Sequence, residues 1–277
     1  MKLACASFFL PDAAYPQKLA RALRLGYEGV EVRLEENPNL DRQVDELALA
    51  FDGNPVRPCN VIVRSPAYLA SLGSLESMQL KLASAGTALR IAARLGTSTV
   101  IQPEYQPQIP MPAFDNLREP SPSESDLLFQ FLDGVAELAE KEASVVLLEP
   151  INRYESHFYH RLEDAVRLCE RVGSPRLGIC ADFFHMSIEE TDMAASLESA
   201  QKYLHYVQLG DSNRKLPGKG HIDFKPSIET LMSIGYSGFL SLECIKPFDY
   251  DRELGDCARF LHSLLGESAD SELHGRQ

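Results

Sequence analysis

The sequence predicts one α/β domain, a (β/α)8 TIM barrel. Eight short, apolar, β-prone runs alternate with longer amphipathic stretches along the whole chain, the pattern of parallel strands joined by helical crossovers. The chain has 277 residues, close to the roughly 250 of such a barrel. A third observation disfavours the rival doubly wound open sheet: no Gly-x-Gly-x-x-Gly turn follows the first strand. Residues 1–265 are therefore assigned to a single barrel domain, and the polar stretch 266–277 to a C-terminal tail.

The first strand is expected over Leu3–Phe9, and the helix Tyr15–Leu25 is stopped by Gly26. Strands Gly29–Arg33 and Arg57–Val63 follow, then a helix over Leu75–Leu95 whose apolar positions gather on one face. After the strand Thr99–Gln102, the stretch Gln102–Pro122 carries Pro103, Pro107, Pro110, Pro112, Pro120 and Pro122. It reads as an extended βα loop, either a cover for the barrel mouth or a surface excursion. The helix Ser123–Lys141 opens with small polar and acidic residues, which suit an N-cap and the positive end of the helix dipole. Within Ser144–Glu149, Val145-Val146-Leu147-Leu148 is a continuous apolar run, as a strand buried on both faces should be. The helix Arg161–Val172 stops at Gly173 and Pro175. Strands Leu177–Asp182, Tyr206–Gly210 and Phe239–Glu243 complete the set of eight.

Composition narrows the function. With 44% hydrophobic and 24% charged residues the chain can bury a full core. A net charge of -13, from 40 acidic and 27 basic residues, would repel a polyanion, so no nucleic-acid partner is expected. Cys5, Cys59, Cys169, Cys180, Cys244 and Cys257 show no C-x-x-C spacing and read as buried, reduced thiols. Met1–Phe9 is too short for a signal peptide, and no apolar run approaches the ~20 residues needed to cross a bilayer. A cytoplasmic protein with no membrane partner is the expectation.

In a parallel barrel, chemistry sits at the C-terminal ends of the strands. Four consecutive late strands carry an oxygen donor there: Glu149, Asp182, Gln208 and Glu243. One such residue could merely cap the following helix. Four in series, on strands that curve around one axis, converge on a cation. Three carboxylates and an amide oxygen form a hard donor set, suited to one divalent ion, Mn2+ or Mg2+, with Co2+ also accommodated. Such an ion would also relieve the mutual repulsion of the carboxylates.

The loops behind these strands are rich in polar residues: Glu149–Glu155, Asp182–Met186 and Asp211–Asp223. Together with Leu25–Glu31 they resemble the xylose-isomerase-like TIM-barrel superfamily of sugar isomerases and epimerases. The similarity spans about Gly26 to Lys246 and is nearest to the ketose 3-epimerase and hydroxypyruvate isomerase branches. The resemblance implies that Glu149, Asp182, Gln208 and Glu243 are metal ligands and that Glu149 and Glu243 are the acid/base pair. It implies that Glu155, His185 and Arg214 contact substrate oxygens. At the third ligand the ketose 3-epimerases usually have histidine, whereas hydroxypyruvate isomerases have glutamine. Gln208 therefore points one way and the Asp-Ser-Asn-Arg…Pro-Gly-x-Gly-His-Ile-Asp run the other. The implied reaction is isomerisation or epimerisation of a small sugar, sugar phosphate or hydroxy-keto acid. One glutamate removes a proton beside a carbonyl, the metal stabilises the enediolate, and the same or a facing glutamate returns the proton.

Other readings stay open at this point. The same metal platform could serve a dehydratase of an inosose or shikimate-type acid, and an endonuclease-type phosphodiesterase would need a histidine-rich cluster. His157 and His160, if helical, could share a face and bind a second metal. Arg214, Lys215 and Lys219 beside Pro217-Gly218 could hold a phosphate or form a solvated basic loop. Assembly into a homo-oligomer also stays open.

Overall fold

A computed structural model describes the chain except for residues 13, 69, 103–118 and 267–277. Eight parallel strands close into a barrel in the order of the sequence. They are β1 (Lys2–Ala6), β2 (Gly29–Glu35), β3 (Arg57–Arg64), β4 (Ser98–Ile101), β5 (Val145–Leu148), β6 (Leu177–Asp182), β7 (Leu204–Leu209) and β8 (Phe239–Leu242). Closure is made by β1 against β8, with Leu3 opposite Leu240 and Cys5 opposite Leu242. Gly29 opens β2 where a Cβ would come within 2.5 Å of the Phe239 ring and 2.9 Å of Ala4, so only glycine fits beside that seam.

The crossovers are α1 (Tyr15–Arg24), α2 (Leu40–Phe51), α3 (Leu75–Leu95), α4 (Pro122–Lys141), α5 (Leu162–Val172), α6 (Phe183–Glu189), α7 (Met193–Ala200), α8 (Phe224–Ser233) and α9 (Tyr250–Leu264). Their starts and stops follow local chemistry. Ser74 caps α3 by accepting from the Ser77 amide, and Gly96 ends it in the left-handed region. α4 begins one residue before the start at Ser123 expected from the small polar and acidic residues there. Ser121 is its N-cap, Glu124 completes a capping box, and Pro122 takes the first turn, where its missing N–H costs nothing. The first strand is likewise shorter than expected: it stops at Ala6, and Ser7–Phe9 forms a 3-10 turn.

Two apolar layers hold these elements. The larger packs the outward faces of the strands, including Val30, Val32, Val146, Ile179 and Val207, against the helices. The smaller fills the barrel lumen with Ala4, Cys59, Ile62, Val100, Leu147, Cys180 and Tyr206. Side chains two apart on a strand share a face. One step beyond the lumen residues Leu147, Cys180, Tyr206 and Ser241 therefore lie Glu149, Asp182, Gln208 and Glu243. The apolar plug below and the polar set above thus belong to the same inward columns.

All six cysteines are free and buried. Among the described residues no helix is long and apolar enough to cross a membrane. Residues 103–118 of the proline-rich stretch, and the tail beyond Gly266, lie outside the described residues.

Candidate metal and substrate site

Glu149, Asp182 and His185 are almost fully buried, and one ligand atom from each lies within 4.8 Å of the others. Glu149 receives a hydrogen bond from Gln102 Nε2 at 2.7 Å. Burial, then the neighbouring Asp182, push its carboxyl well above the usual carboxylate range. Burial also raises Asp182, although the Arg214 guanidinium, 2.6 Å from its Oδ2, pulls the other way. Carboxylates packed together out of water need a cation.

His185 is the nitrogen in this cluster, and its hydrogen bonds decide its role. The backbone N–H of Asn152 donates to His185 Nδ1 at 3.2 Å, and the Asn152 side-chain amide lies 2.7 Å from the same nitrogen. Burial, reinforced by Arg214, holds the imidazole well below its usual pKa, so the ring is neutral. A neutral ring that accepts at Nδ1 carries its proton on Nε2. Nε2 faces Glu149 Oε1 at 3.6 Å and Asp182 Oδ2 at 3.7 Å. His185 therefore presents a donor to the site, the property needed to hold a substrate oxygen. With Nε2 protonated, the ligand atoms of this cluster that remain free for a cation are the carboxylate oxygens of Glu149 and Asp182.

Glu243 and Gln208 are engaged elsewhere in this arrangement. Glu243 Oε1 accepts from Arg214 Nη2 at 3.3 Å, and its Oε2 accepts from Arg33 Nη2. Gln208 Nε2 donates to Glu31 Oε2 at 2.9 Å, and the Cys180 thiol donates to Gln208 Oε1 at 3.3 Å. Glu155, half-buried on the β5–α5 loop, accepts from Asn152 Nδ2 at 2.9 Å. Asn152 thus braces both Glu155 and His185.

Arg214 reaches the site because the β7–α8 loop is wound around Asp211, which is fully buried. The Asp211 carboxylate accepts from the amides of Ser212 at 2.8 Å, Gly218 at 2.9 Å and Ile222 at 3.2 Å. A Cβ on Gly220 would lie 2.2 Å from Asp211 Oδ1. Arg214 itself sits at φ 58, an uncommon backbone conformation for a non-glycine residue. Its N–H donates to Asp211 O and its carbonyl accepts from Ile245 N, both at 2.7 Å. The guanidinium lies 4.5 Å from the centre of the Phe184 ring.

This loop closes the phosphate-turn option. The amides that would cradle a phosphate are taken by Asp211, Arg214 turns inward, and Lys215 and Lys219 are exposed. The His157–His160 option fails as well. Both residues precede α5 outside any helix, with His157 against Glu124 and His160 on the Ile151 carbonyl.

Sequence reasoning missed three residues here. Glu31, fully buried, accepts from Tyr206 OH at 3.0 Å and from Arg33 Nε at 2.6 Å. Arg33 bridges Glu31 and Glu243. The phenol of Tyr68, raised by burial and then by Glu149, feels Arg33 and Glu243 as well. The carboxylate and guanidinium alternating within β2 were the available signal.

A family model described as xylose isomerase-like TIM barrel matches residues 19–262. Among curated proteins, the 3-dehydro-D-guloside 4-epimerase of Escherichia coli (strain K12) is 36% identical over 107 residues, 39% of this chain and 41% of that protein. A ketose 3-epimerase of Arthrobacter globiformis is 38% identical over 138 residues, 50% of this chain and 47% of that protein. An L-ribulose 3-epimerase of Mesorhizobium japonicum is 30% identical over 145 residues, 52% and 49% respectively. The matches span less than half the length of each of these relatives. Among solved structures, an E. coli 3-keto-D-glucoside 4-epimerase in its apo form superposes with a TM-score of 0.82 at 23% identity, covering 95% of this chain and 99% of that one. An L-ribulose 3-epimerase structure superposes at 0.83 with 20% identity, covering 96% and 94%. At those identities the superpositions speak to the fold alone.

Proposed function

The chain belongs to the xylose isomerase-like TIM-barrel family, and from that premise we propose that it is a divalent-metal-dependent epimerase or isomerase of a small keto sugar. The observation that carries the proposal is the buried Glu149–Asp182 pair beside the neutral donor His185. Glu149 has a side-chain amide as hydrogen-bond partner and forms no ion pair with a lysine or arginine among the described residues. The curated relatives are named as a 4-epimerase of 3-dehydro-D-guloside and as 3-epimerases of L-ribulose and of a ketose.

Glu149, Asp182, Gln208 and Glu243 would hold the ion. When bound, a divalent cation acts as a Lewis acid on the substrate carbonyl and makes the adjacent C–H more acidic. Glu149 and Glu243 then move the proton. One carboxylate takes it from the carbon beside the carbonyl and becomes a carboxylic acid; a proton returns from the same or the facing glutamate. Return to the opposite face of that carbon is epimerisation, and return to the neighbouring carbon is isomerisation. His185 Nε2–H and the Arg214 guanidinium hold substrate oxygens, and Glu155, braced by Asn152, accepts from a hydroxyl. These contacts fix which carbon faces which glutamate, and a shift of about 1 Å in placement changes the rate and outcome.

The test is deuterium wash-in. Purified protein with Mn2+ is incubated in D2O with a panel of ketoses, aldoses, tetronates and hydroxypyruvate, and the exchanging carbon is located by NMR. Exchange at one carbon beside a carbonyl, abolished by chelation and restored by Mn2+, Co2+ or Mg2+, is the expected result. No exchange into any member of the panel with metal present overturns the proposal. Loss of water from the substrate in the same tubes would replace it with a dehydratase.

A further inference from the structure

Beyond Glu243, on the side away from Arg214, lies a group of cations that proton transfer does not use. Arg33 stands two residues after Glu31 on β2, so both side chains enter the barrel. Arg214 holds one oxygen of Glu243 and Arg33 holds the other. Arg33 Nη1 donates no hydrogen bond among the described residues. The guanidinium carbon lies 5.8 Å from the centre of the Phe8 ring, in the 3-10 turn that follows β1. The ammonium of Lys246, just after β8, lies 5.6 Å from the centre of that same ring. Lys246 is exposed and has no ion-pair partner among the described residues, in a chain whose net charge is -13. Acidic side chains are plentiful, yet none of those described covers it.

Arg33 Nη1 and the Lys246 ammonium, both beside one aromatic ring, thus have no acceptor among the described residues. We propose that Arg33 and Lys246, set about Phe8 at the C-terminal ends of β1, β2 and β8, bind an anionic group at the end of the substrate remote from its reacting carbons. The substrate is then a keto sugar bearing a carboxylate or a phosphate. Phe8 supplies an apolar floor for the intervening carbon chain, and Glu31 anchors Arg33 from below. This inference rests on the keto-sugar reading above for the identity of the ligand's other end.

Calorimetry with unreactive ligands separates the two readings. D-sorbitol, D-gluconate and sorbitol 6-phosphate are titrated into the full chain with Mn2+, in the wild type, in Lys246→Glu, whose side chain is exposed, and in Arg33→Lys, which keeps Glu31 paired. At least one anion is expected to bind about tenfold or more tightly than sorbitol, the affinity carried by one hydrogen bond to a charged group. Lys246→Glu should abolish that preference and Arg33→Lys should reduce it. Whether gluconate or the phosphate is preferred identifies the anion. Equal affinity for sorbitol and both anions, or a preference retained in Lys246→Glu, overturns the subsite. In parallel, deuterium wash-in into D-fructose, D-fructose 6-phosphate and 5-keto-D-gluconate reads the reaction itself. Anion preference with no exchange anywhere leaves the subsite standing and removes the keto-sugar reading. Exchange confined to the neutral ketose does the reverse.

Discussion

Replacing Asp211 by alanine should release the β7–α8 loop and, with it, Arg214. Three backbone amides, those of Ser212, Gly218 and Ile222, donate to this carboxylate at 2.8, 2.9 and 3.2 Å. A hydrogen bond to a charged group contributes about 1.5–3 kcal/mol. The loop lies at the rim, where water can take up part of the loss, so the lower value for two of the three amides is appropriate. The cost is then about 3 kcal/mol of local stability, or about a hundredfold faster hydrogen exchange at those amides. Amide exchange followed by NMR or mass spectrometry measures this directly. The pH dependence has a defined sign. Burial alone would raise the Asp211 carboxyl, but the backbone N–H groups of Gly220, Ile222, Ser212 and Gly218 outweigh it and hold the group below its usual value. The stabilisation is therefore fully present above the unfolded value of about 3.9 and disappears as pH falls through the lower folded value. The difference between Asp211→Ala and wild type should close below about pH 4. Unchanged protection of Ser212, Gly218 and Ile222 in the variant at pH 7 would show that the carboxylate does not organise the loop.

The remaining predictions concern the proposed chemistry. Glu149→Gln and Glu243→Gln should each slow solvent deuterium exchange by at least ~10²-fold, and a variant exchanging at the wild-type rate takes that residue out of proton transfer. Arg214→Ala should raise KM while leaving metal content, read by elemental analysis, unchanged; lost metal would reassign the arginine. Gln208→His should raise the ratio of Co2+ to Mg2+ affinity, because imidazole favours later first-row metals. An unchanged ratio on titrating the metal-free proteins would mean that Gln208 serves Glu31 and Cys180 instead.

The barrel was legible because its strands are buried on both faces. Leu177–Asp182 and Leu75–Leu95 were expected with the bounds that the structure has. The start of α4 is set by a local signal just before Ser123. Ser121-Pro122-Ser123-Glu124 is a capping box with proline at the first helical position. The four oxygen-bearing side chains were visible because Glu149, Asp182 and Glu243 each end an apolar run and Gln208 interrupts one. Arg33 was not, because its partner Glu243 lies 210 positions away and a charge within a strand looks locally like an exposed position. The proton on His185 Nε2 was equally beyond reach, since the amide of Asn152, 33 residues earlier, decides it.

The tie between the last two loops bears on how this barrel can be re-engineered. The Ile245 amide donates to the Arg214 carbonyl, while the Arg214 side chain holds Glu243. The segments after β7 and β8 are therefore a single transplantable module. A chimera that imports one without the other inherits an arginine aimed by a backbone it no longer touches. Loop-shuffling libraries on this scaffold should cut before Gly210 and after Lys246, and recombine everything between as one cassette.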